Sequence, residues 1–298
     1  MDQSLLVFVT VAEKGSFTRT AEELHMTQPA VSQYVQMLEK SAGAKLLDRT
    51  NKYVRLTKAG EIVYHHAKEI LGLYTRMDTL VADLMQVASG PVSIGASFTF
   101  GEYALPHMIA DMLEEYPLIG PTITIGNTAE ICGALLSHEL DVGIIEGDYK
   151  HDKLYVTPFA EDAMELIVSS KHPFASAAPD FIVSTGEMPG ETWIVRESGS
   201  GTREASDRWF ESLGFMPRSM MAFGSTQLIK ESVEAGLGVT LLSRMSVRKE
   251  LQLGTLKAVK AAGTPVKRNF SLVTHAAPYH TKAVQVFIAC LQNGSWSR

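Results

Sequence analysis

Between Ser16 and Gln33 the chain carries the spacing of two short helices joined by a tight turn, and this constrains its amino-terminal end more than any other feature. Ser16 is placed to cap the first helix, in which Glu22 and Glu23 are expected to lie early, where carboxylates suit the helix dipole. Ala21 and Leu24 face inward. Thr27 then caps a second helix whose first turn holds Pro29, a position where no backbone N–H is missed. Val31, Val35 and Leu38 repeat at spacings of four and three and so form the buried stripe. The opposite face therefore presents Gln28, Pro29, Ser32, Gln33 and Gln36, all uncharged. Glutamine can pair bidentately with adenine and a proline ring can pack on a thymine methyl, so this face suits the major groove of duplex DNA. Leu5, Phe8, Val9 and Ala12 are spaced as an amphipathic helix packing behind the pair.

An ordinary helical hairpin would fit the same spacing, but the next stretch narrows the choice. From Lys45 to Thr57 a basic, polar turn lies between apolar flanks, as in a two-stranded wing. Arg49, Lys52 and Arg55 could there reach phosphates, contacts that set register rather than sequence. Residues 1–60 hold 8 Lys+Arg against 6 Asp+Glu, a net of +2, whereas the whole chain is −6, leaving −8 elsewhere. Local positive charge on an acidic protein fits placed DNA contacts and argues against a polybasic, non-specific binder.

These residues resemble the winged helix-turn-helix of the LysR-type transcriptional regulators. The likeness rests on Phe8, Ser16-Phe17-Thr18, Ala21, Leu24, Gln28-Pro29-Ala30-Val31-Ser32, Leu38-Glu39, Leu46-Leu47, Arg49 and Leu56-Thr57-Lys58-Ala59-Gly60. Thr20 stands where the family usually has alanine, and Leu47 where phenylalanine is common. With the reading above, the resemblance implies contacts to double-stranded operator DNA from Ser16, Thr18, Thr27, Gln28, Pro29, Ser32, Gln33, Gln36, Arg49, Lys52, Arg55 and Thr57. It implies residues 1–60 as the DNA-binding domain, 61–88 as a linker helix and 89–298 as an effector-binding domain.

The linker has its own pattern. Val63, Ala67, Ile70, Tyr74, Met77, Val81 and Leu84 alternate spacings of four and three over three heptads, the a/d repeat of a coiled coil. A helix packed on its own domain is the other reading. The resemblance favours a homo-oligomer, a dimer or dimer of dimers, with RNA polymerase as a further partner if the protein activates.

From residue 91 short strand-like runs alternate with amphipathic helices. Strands are expected at Pro91–Ala96, Thr122–Ile125, Val142–Ile145, Glu165–Val168, Thr192–Val195, Met220–Phe223, Val239–Leu242 and Asn269–Thr274, with helices near Gly101–Glu115 and Thr281–Leu291. Such alternation argues an α/β fold with largely parallel sheets. Ligands bind such sheets at strand ends. Four ends are polar: Ser97-Phe98-Thr99, Glu146-Gly147, Gly199-Ser200-Gly201-Thr202-Arg203 and Ser225-Thr226. Hydroxyls, glycines and free N–H groups at helix starts favour an anion, although plain capping would use the same residues. The resemblance extends here to two Rossmann-like subdomains of periplasmic-binding-protein type, about 91–162 plus 268–298 and about 163–267, with a small-molecule effector between them. The run from Arg196 to Glu204 is similar to the sulfur- and carbon-assimilation branch, whose members often sense small anions.

Other functions fit poorly. Gly199-Ser200-Gly201 is no nucleophile elbow, and no Walker A sequence occurs. Gly236-Leu237-Gly238 lacks a third glycine at dinucleotide spacing. His65-His66 has no histidine or cysteine at i+4 to complete a metal site. Cys132 and Cys290 form no paired motif, so no metal, cofactor or disulfide is implied; buried apolar roles fit them better than a redox switch. No catalytic residues stand out. No secretory signal or membrane-spanning run is evident, so a cytoplasmic location is expected and a secreted solute-binding protein is disfavoured.

Overall fold

The computed structural model describes residues 2–49, 54–82, 88–176, 178, 181–276 and 279–294. They form two compact units, Met1–Val87 with Leu136–Glu139, and Ala88–Leu135 with Leu140–Arg298.

The first unit contains α1 (Gln3–Lys14), α2 (Phe17–Glu23), α3 (Gln28–Ala42), β1 (Leu47–Arg49), β2 (Val54–Leu56) and α4 (Lys58–Ala82). Its caps are local chemistry. Asp2 accepts the Ser4 N–H at 2.9 Å, Ser16 Oγ accepts that of Arg19 at 3.3 Å, and Thr27 Oγ1 accepts that of Ala30 at 3.4 Å. The turn between α2 and α3 passes through His25 at φ 52, left-handed backbone that non-glycine residues seldom adopt. Glu22 and Glu23 fall in the last turn of α2, not early in it, because this helix has only 7 residues. Glu23 instead pairs with Lys14 at 2.6 Å. Thr20 is buried, and its hydroxyl donates to the Ser16 carbonyl at 2.9 Å, which makes a threonine tolerable there.

Val7, Phe8, Val11, Phe17, Val31, Val35 and Leu46 make the core of this unit. β1 and β2 pair antiparallel with Asp48 opposite Arg55. The seam on α4 divides. Ala67 is buried and Val63 and Tyr64 pack on the core, whereas Ile70, Met77 and Val81 are exposed, as is Leu73 off the seam. Leu84 lies outside the described residues.

The second unit contains β3 (Gly90–Ser97), α5 (Phe98–Tyr103), α6 (Leu105–Glu115), β4 (Ile119–Gly126), α7 (Thr128–Leu136), β5 (Val142–Glu146), β6 (Leu154–Ser169), β7 (Thr192–Arg196), α8 (Gly201–Ser212), β8 (Ser219–Phe223), α9 (Thr226–Glu234), β9 (Thr240–Ser243), α10 (Arg248–Leu253), β10 (Leu256–Val259), β11 (Val266–His275) and α11 (Lys282–Gln292). The helix expected over Gly101–Glu115 is broken at Ala104, φ −121, because Pro106 in the next turn has no N–H to continue the ladder.

The expectation of largely parallel sheets needs correction. β3 pairs in parallel with β4 and β5, and β7 with β8. β6 is antiparallel to β9, β10 and β11, and β11 is antiparallel to β5. The reason is that β6 and β11 are long and run side by side through both halves of the unit, Thr157 opposite Leu272 and Met164 opposite Val266. One half closes over Ile94, Phe100, Met108, Ile144, Phe270 and Phe287, the other over Trp193, Trp209, Phe210, Val239 and Leu241. Among the described residues no helix is long and apolar enough to cross a membrane, and no acidic, histidine or cysteine cluster could hold a metal.

Candidate functional site

On α3 the residues proposed from the sequence lie where expected. Gln28, Pro29, Gln33 and Gln36 are exposed, and Ser32 is half-buried on the same face. Thr18 is exposed on α2, while Ser16 and Thr27 spend their hydroxyls as caps. Thr57 is turned inward to the structure: it donates to the Lys45 carbonyl at 2.7 Å and accepts the Gly60 N–H at 2.9 Å. Arg55 is exposed on β2. Lys52 and the Arg49 side chain lie outside the described residues.

One residue of this unit escaped the functional reading. Glu39 is buried at the end of α3, where it accepts the N–H groups of Leu46 and Leu47 at 3.0 and 3.3 Å and the Lys45 ammonium at 3.0 Å. Burial alone would raise its pKa, but the Leu46, Lys45 and Leu47 hydrogen bonds together with the lysine charge hold it below the usual carboxylate range. Its position four residues after Val35, in line with the buried stripe, was the available signal.

In the second unit the four polar strand ends converge on two buried arginines. Arg268 of β11 donates through Nη1 to Glu146 Oε2 at 2.7 Å and to Thr202 Oγ1 at 2.8 Å. Its Nη2 reaches Thr99 Oγ1 at 3.1 Å and its Nε Asp162 Oδ2 at 2.7 Å. Ser243 donates to the other Asp162 oxygen at 2.7 Å. Glu146 is fully enclosed. Burial would raise its pKa, but the Arg268 charge and hydrogen bonds from Thr99 and Thr202 hold it below the ordinary range.

Arg196, at the end of β7, grips Glu197 with Nε and Nη2 at 2.7 Å each, reaches Thr226 at 3.3 Å, and lies 4.1 Å from the centre of the Phe98 ring. Asn127 Nδ2 donates to Glu197 at 3.2 Å, and the Ala129 N–H to the Gly199 carbonyl at 3.2 Å. Gly201 is the close approach: a Cβ there would overlap the Glu146 carbonyl oxygen.

Ser97, Phe98, Thr99, Glu146, Gly199, Gly201, Thr202 and Thr226 thus belong to one contact network; Ser97 joins it through Thr128, 3.5 Å away. Ser200 lines a neighbouring pocket of about 370 Å³ with Thr128, Tyr149, Ser198, Gly199 and Arg203. Gly147 lines another of about 500 Å³ with Arg208, Trp209, Lys267 and Arg268. Two expected residues have partners of their own. The Arg203 guanidinium is held by Asp207 at 2.8 and 2.9 Å and also donates through Nη1 to the Arg196 carbonyl at 3.3 Å, and Ser225 caps α9 by accepting the Leu228 N–H at 3.2 Å. Arg268 was not singled out from the sequence, and Arg196 only as the start of the run to Glu204, although Arg196 directly follows an apolar strand run where a charge needs a partner. Cys132 is buried, which pushes its thiol up to about 12 and makes a thiolate inaccessible near neutral pH.

A winged DNA-reading unit followed by a two-lobed α/β unit with a polar cleft defines a ligand-responsive transcriptional regulator. The model of the bacterial regulatory helix-turn-helix protein, lysR family, matches residues 3–61, and that of the LysR substrate binding domain matches residues 86–296. The chain belongs to the LysR family: a sequence-specific DNA-binding regulator whose activity a small metabolite modulates. It is 34% identical over 294 residues to the HTH-type transcriptional regulator CysL of Bacillus subtilis, covering 99% of this chain and 97% of that protein. Full-length CbnR in complex with its target DNA has the same fold, with a TM-score of 0.73 at 19% identity, covering 98% of this chain and 99% of that one. The regulatory domain of Synechocystis CcmR in complex with 2-PG matches 70% of this chain and 98% of its own, with a TM-score of 0.64 at 23% identity.

Proposed function

We propose that the chain works as a dimer, or a dimer of dimers, whose copies of residues 1–60 read spaced half-sites through Gln28, Pro29, Ser32 and Gln33. Residues 61–88 join the copies, and residues 89–298 sense a small anion at the seam of their two lobes. Arg55 and the remaining wing cations supply phosphate contacts. The chain acts by binding rather than catalysis, in the cytoplasm, and engages RNA polymerase where it activates.

The observation that carries the anion reading is the placement of Arg268: a buried guanidinium that meets Thr99 from one lobe and Thr202 from the other, where it already holds the carboxylates of Glu146 and Asp162. Charge-assisted donors of this kind are what a carboxylate, sulfate or phosphate requires. The relative solved with 2-PG supports a small metabolite as effector. Pairing is supported by the exposed apolar row Ile70, Met77 and Val81 on α4. A ligand entering the cleft shifts the protein only by its difference in affinity for two states.

Footprinting of the full chain on the adjoining promoter, across a panel of small anions including phosphate, sulfate and 2-PG, tests this. Paired protected sites whose spacing or occupancy changes with one anion are expected. A footprint that no anion alters, but an uncharged or cationic metabolite does, rejects the anion reading.

A further inference from the structure

The deepest part of the cleft already holds an anion, and it is the chain's own. Glu146 Oε1 accepts the backbone N–H of Thr99 at 2.7 Å, and Oε2 accepts the Thr202 hydroxyl at 2.9 Å and the Arg268 guanidinium at 2.7 Å. An amide, a hydroxyl and a guanidinium converging on one carboxylate form the donor set that a free anion would need. Arg268 also serves Asp162 at 2.7 Å, so a single buried cation is shared by two carboxylates. A further anion brought alongside would meet net negative charge in a poorly screened setting.

We propose that the Glu146 carboxylate is a tethered stand-in for the effector's anionic group, and that the effector enters by displacing it from Thr99, Thr202 and Arg268. This rests on the anion reading given above. The donors come from three places: Thr99 opens α5 in one lobe, Thr202 opens α8 in the other, and Arg268 lies on the strand running through both. With Glu146 in place the lobes are tied by an internal group; with the effector in place the same donors are tied by a removable one. Intrinsic affinity is then reduced by the fraction of molecules in which Glu146 has swung away. A purely structural carboxylate would behave in the opposite sense, since its loss would disorder the donors and weaken anion binding.

The test uses the full chain as wild type, Glu146→Ala, Glu146→Gln and the double variant Glu146→Ala/Thr202→Val, with acetate, phosphate and sulfate as probes. Calorimetric titration and thermal unfolding are the readouts. If fewer than about a tenth of wild-type molecules have Glu146 displaced, Glu146→Ala should bind a fitting probe at least about tenfold more tightly. Its unfolding midpoint should climb with probe concentration, and the gain should vanish with Thr202→Val. Glu146→Gln keeps the shape but loses the charge, so it competes less well and shows a gain in the same direction.

Folded variants that bind every probe no better than wild type overturn the proposal, as does unfolding of both single variants without recovery in acetate. Failure of the underlying reading looks different. If the variants gain probe binding while no anion changes the wild-type footprint, Glu146 does fill an anion cradle, yet the natural effector is not an anion and the proposal falls with the anion reading. If an anion changes the wild-type footprint but binds the variants no more tightly, the anion reading holds and the stand-in assignment falls.

Discussion

The carboxylate of Glu39, buried near the end of α3, accepts the backbone N–H of Leu46 at 3.0 Å, just before the chain enters β1. One side chain thus sets the distance between the two elements proposed to touch DNA. Hydrogen bonds to a buried charged group contribute about 1.5–3 kcal/mol, so Glu39→Ala should lower unfolding stability by that order and weaken operator binding. Its pH dependence has a definite sign. The folded pKa is depressed, so the contribution is complete above the unfolded carboxylate value of about 4.3 and fades as pH falls through the folded one. Urea midpoints of wild type and Glu39→Gln, compared from neutral to acid pH, should therefore converge in acid. A gap that widened in acid would show the pKa to be raised instead.

Base reading and phosphate holding separate by salt. Gln28→Ala and Gln33→Ala should each cost about 1–3 kcal/mol on operator DNA, leave random-sequence binding nearly unchanged and keep the salt slope. Arg55→Ala should weaken both kinds of DNA alike and reduce the slope by about 1. Anisotropy titrations at several salt concentrations distinguish them. Equal loss on both DNAs for the glutamine variants would remove them from base contact.

What could be read from the sequence was local. Ser16 and Thr27 cap helices through residues three positions on, and the strand ends at Thr99, Glu146 and Thr202 announce themselves by hydroxyl and carboxylate after an apolar run. Arg268 and Asp162 carry no such mark. They lie 106 residues apart, and only the pairing of β6 with β11 brings them together. For the same reason the parallel-sheet expectation failed: helix–strand alternation reports neighbours along the chain, not the two long strands shared by both lobes. Arg203 shows both kinds of contact: Asp207, one turn along α8, takes its Nε, while its Nη1 donates to the Arg196 carbonyl at the end of β7.

Gly60 offers a prediction in which two rules disagree. It sits in the first turn of α4, where helix propensity alone would have Gly60→Ala stabilise the protein by about 1 kcal/mol. Yet a Cβ at this position would overlap the Leu46 carbonyl oxygen, backbone that cannot step aside without moving the wing. Overpacking of this kind typically costs about 1–3 kcal/mol, so net destabilisation is expected in urea unfolding. A variant more stable than wild type would show that the wing adjusts freely.

Coupling between the two lobes can be measured at Arg196. Its guanidinium, 1% exposed as a side chain, faces the Phe98 ring across the seam at 4.1 Å while Glu197 holds its other edge at 2.7 Å. Phe98→Leu keeps apolar bulk but removes the ring face, and Arg196→Lys keeps charge but loses the planar fork that both partners use. If the contact ties the lobes, the double variant should be less destabilised than the sum of the single ones. A coupling of about 0.5–2 kcal/mol is expected for a desolvated cation on an aromatic face. The same cycle run on effector affinity should show coupling too, because each change loosens a wall of the cleft. Additive effects in stability and in affinity together would mean that Phe98 and Arg196 act independently, and that the tie between the lobes rests on Arg268 with its carboxylates.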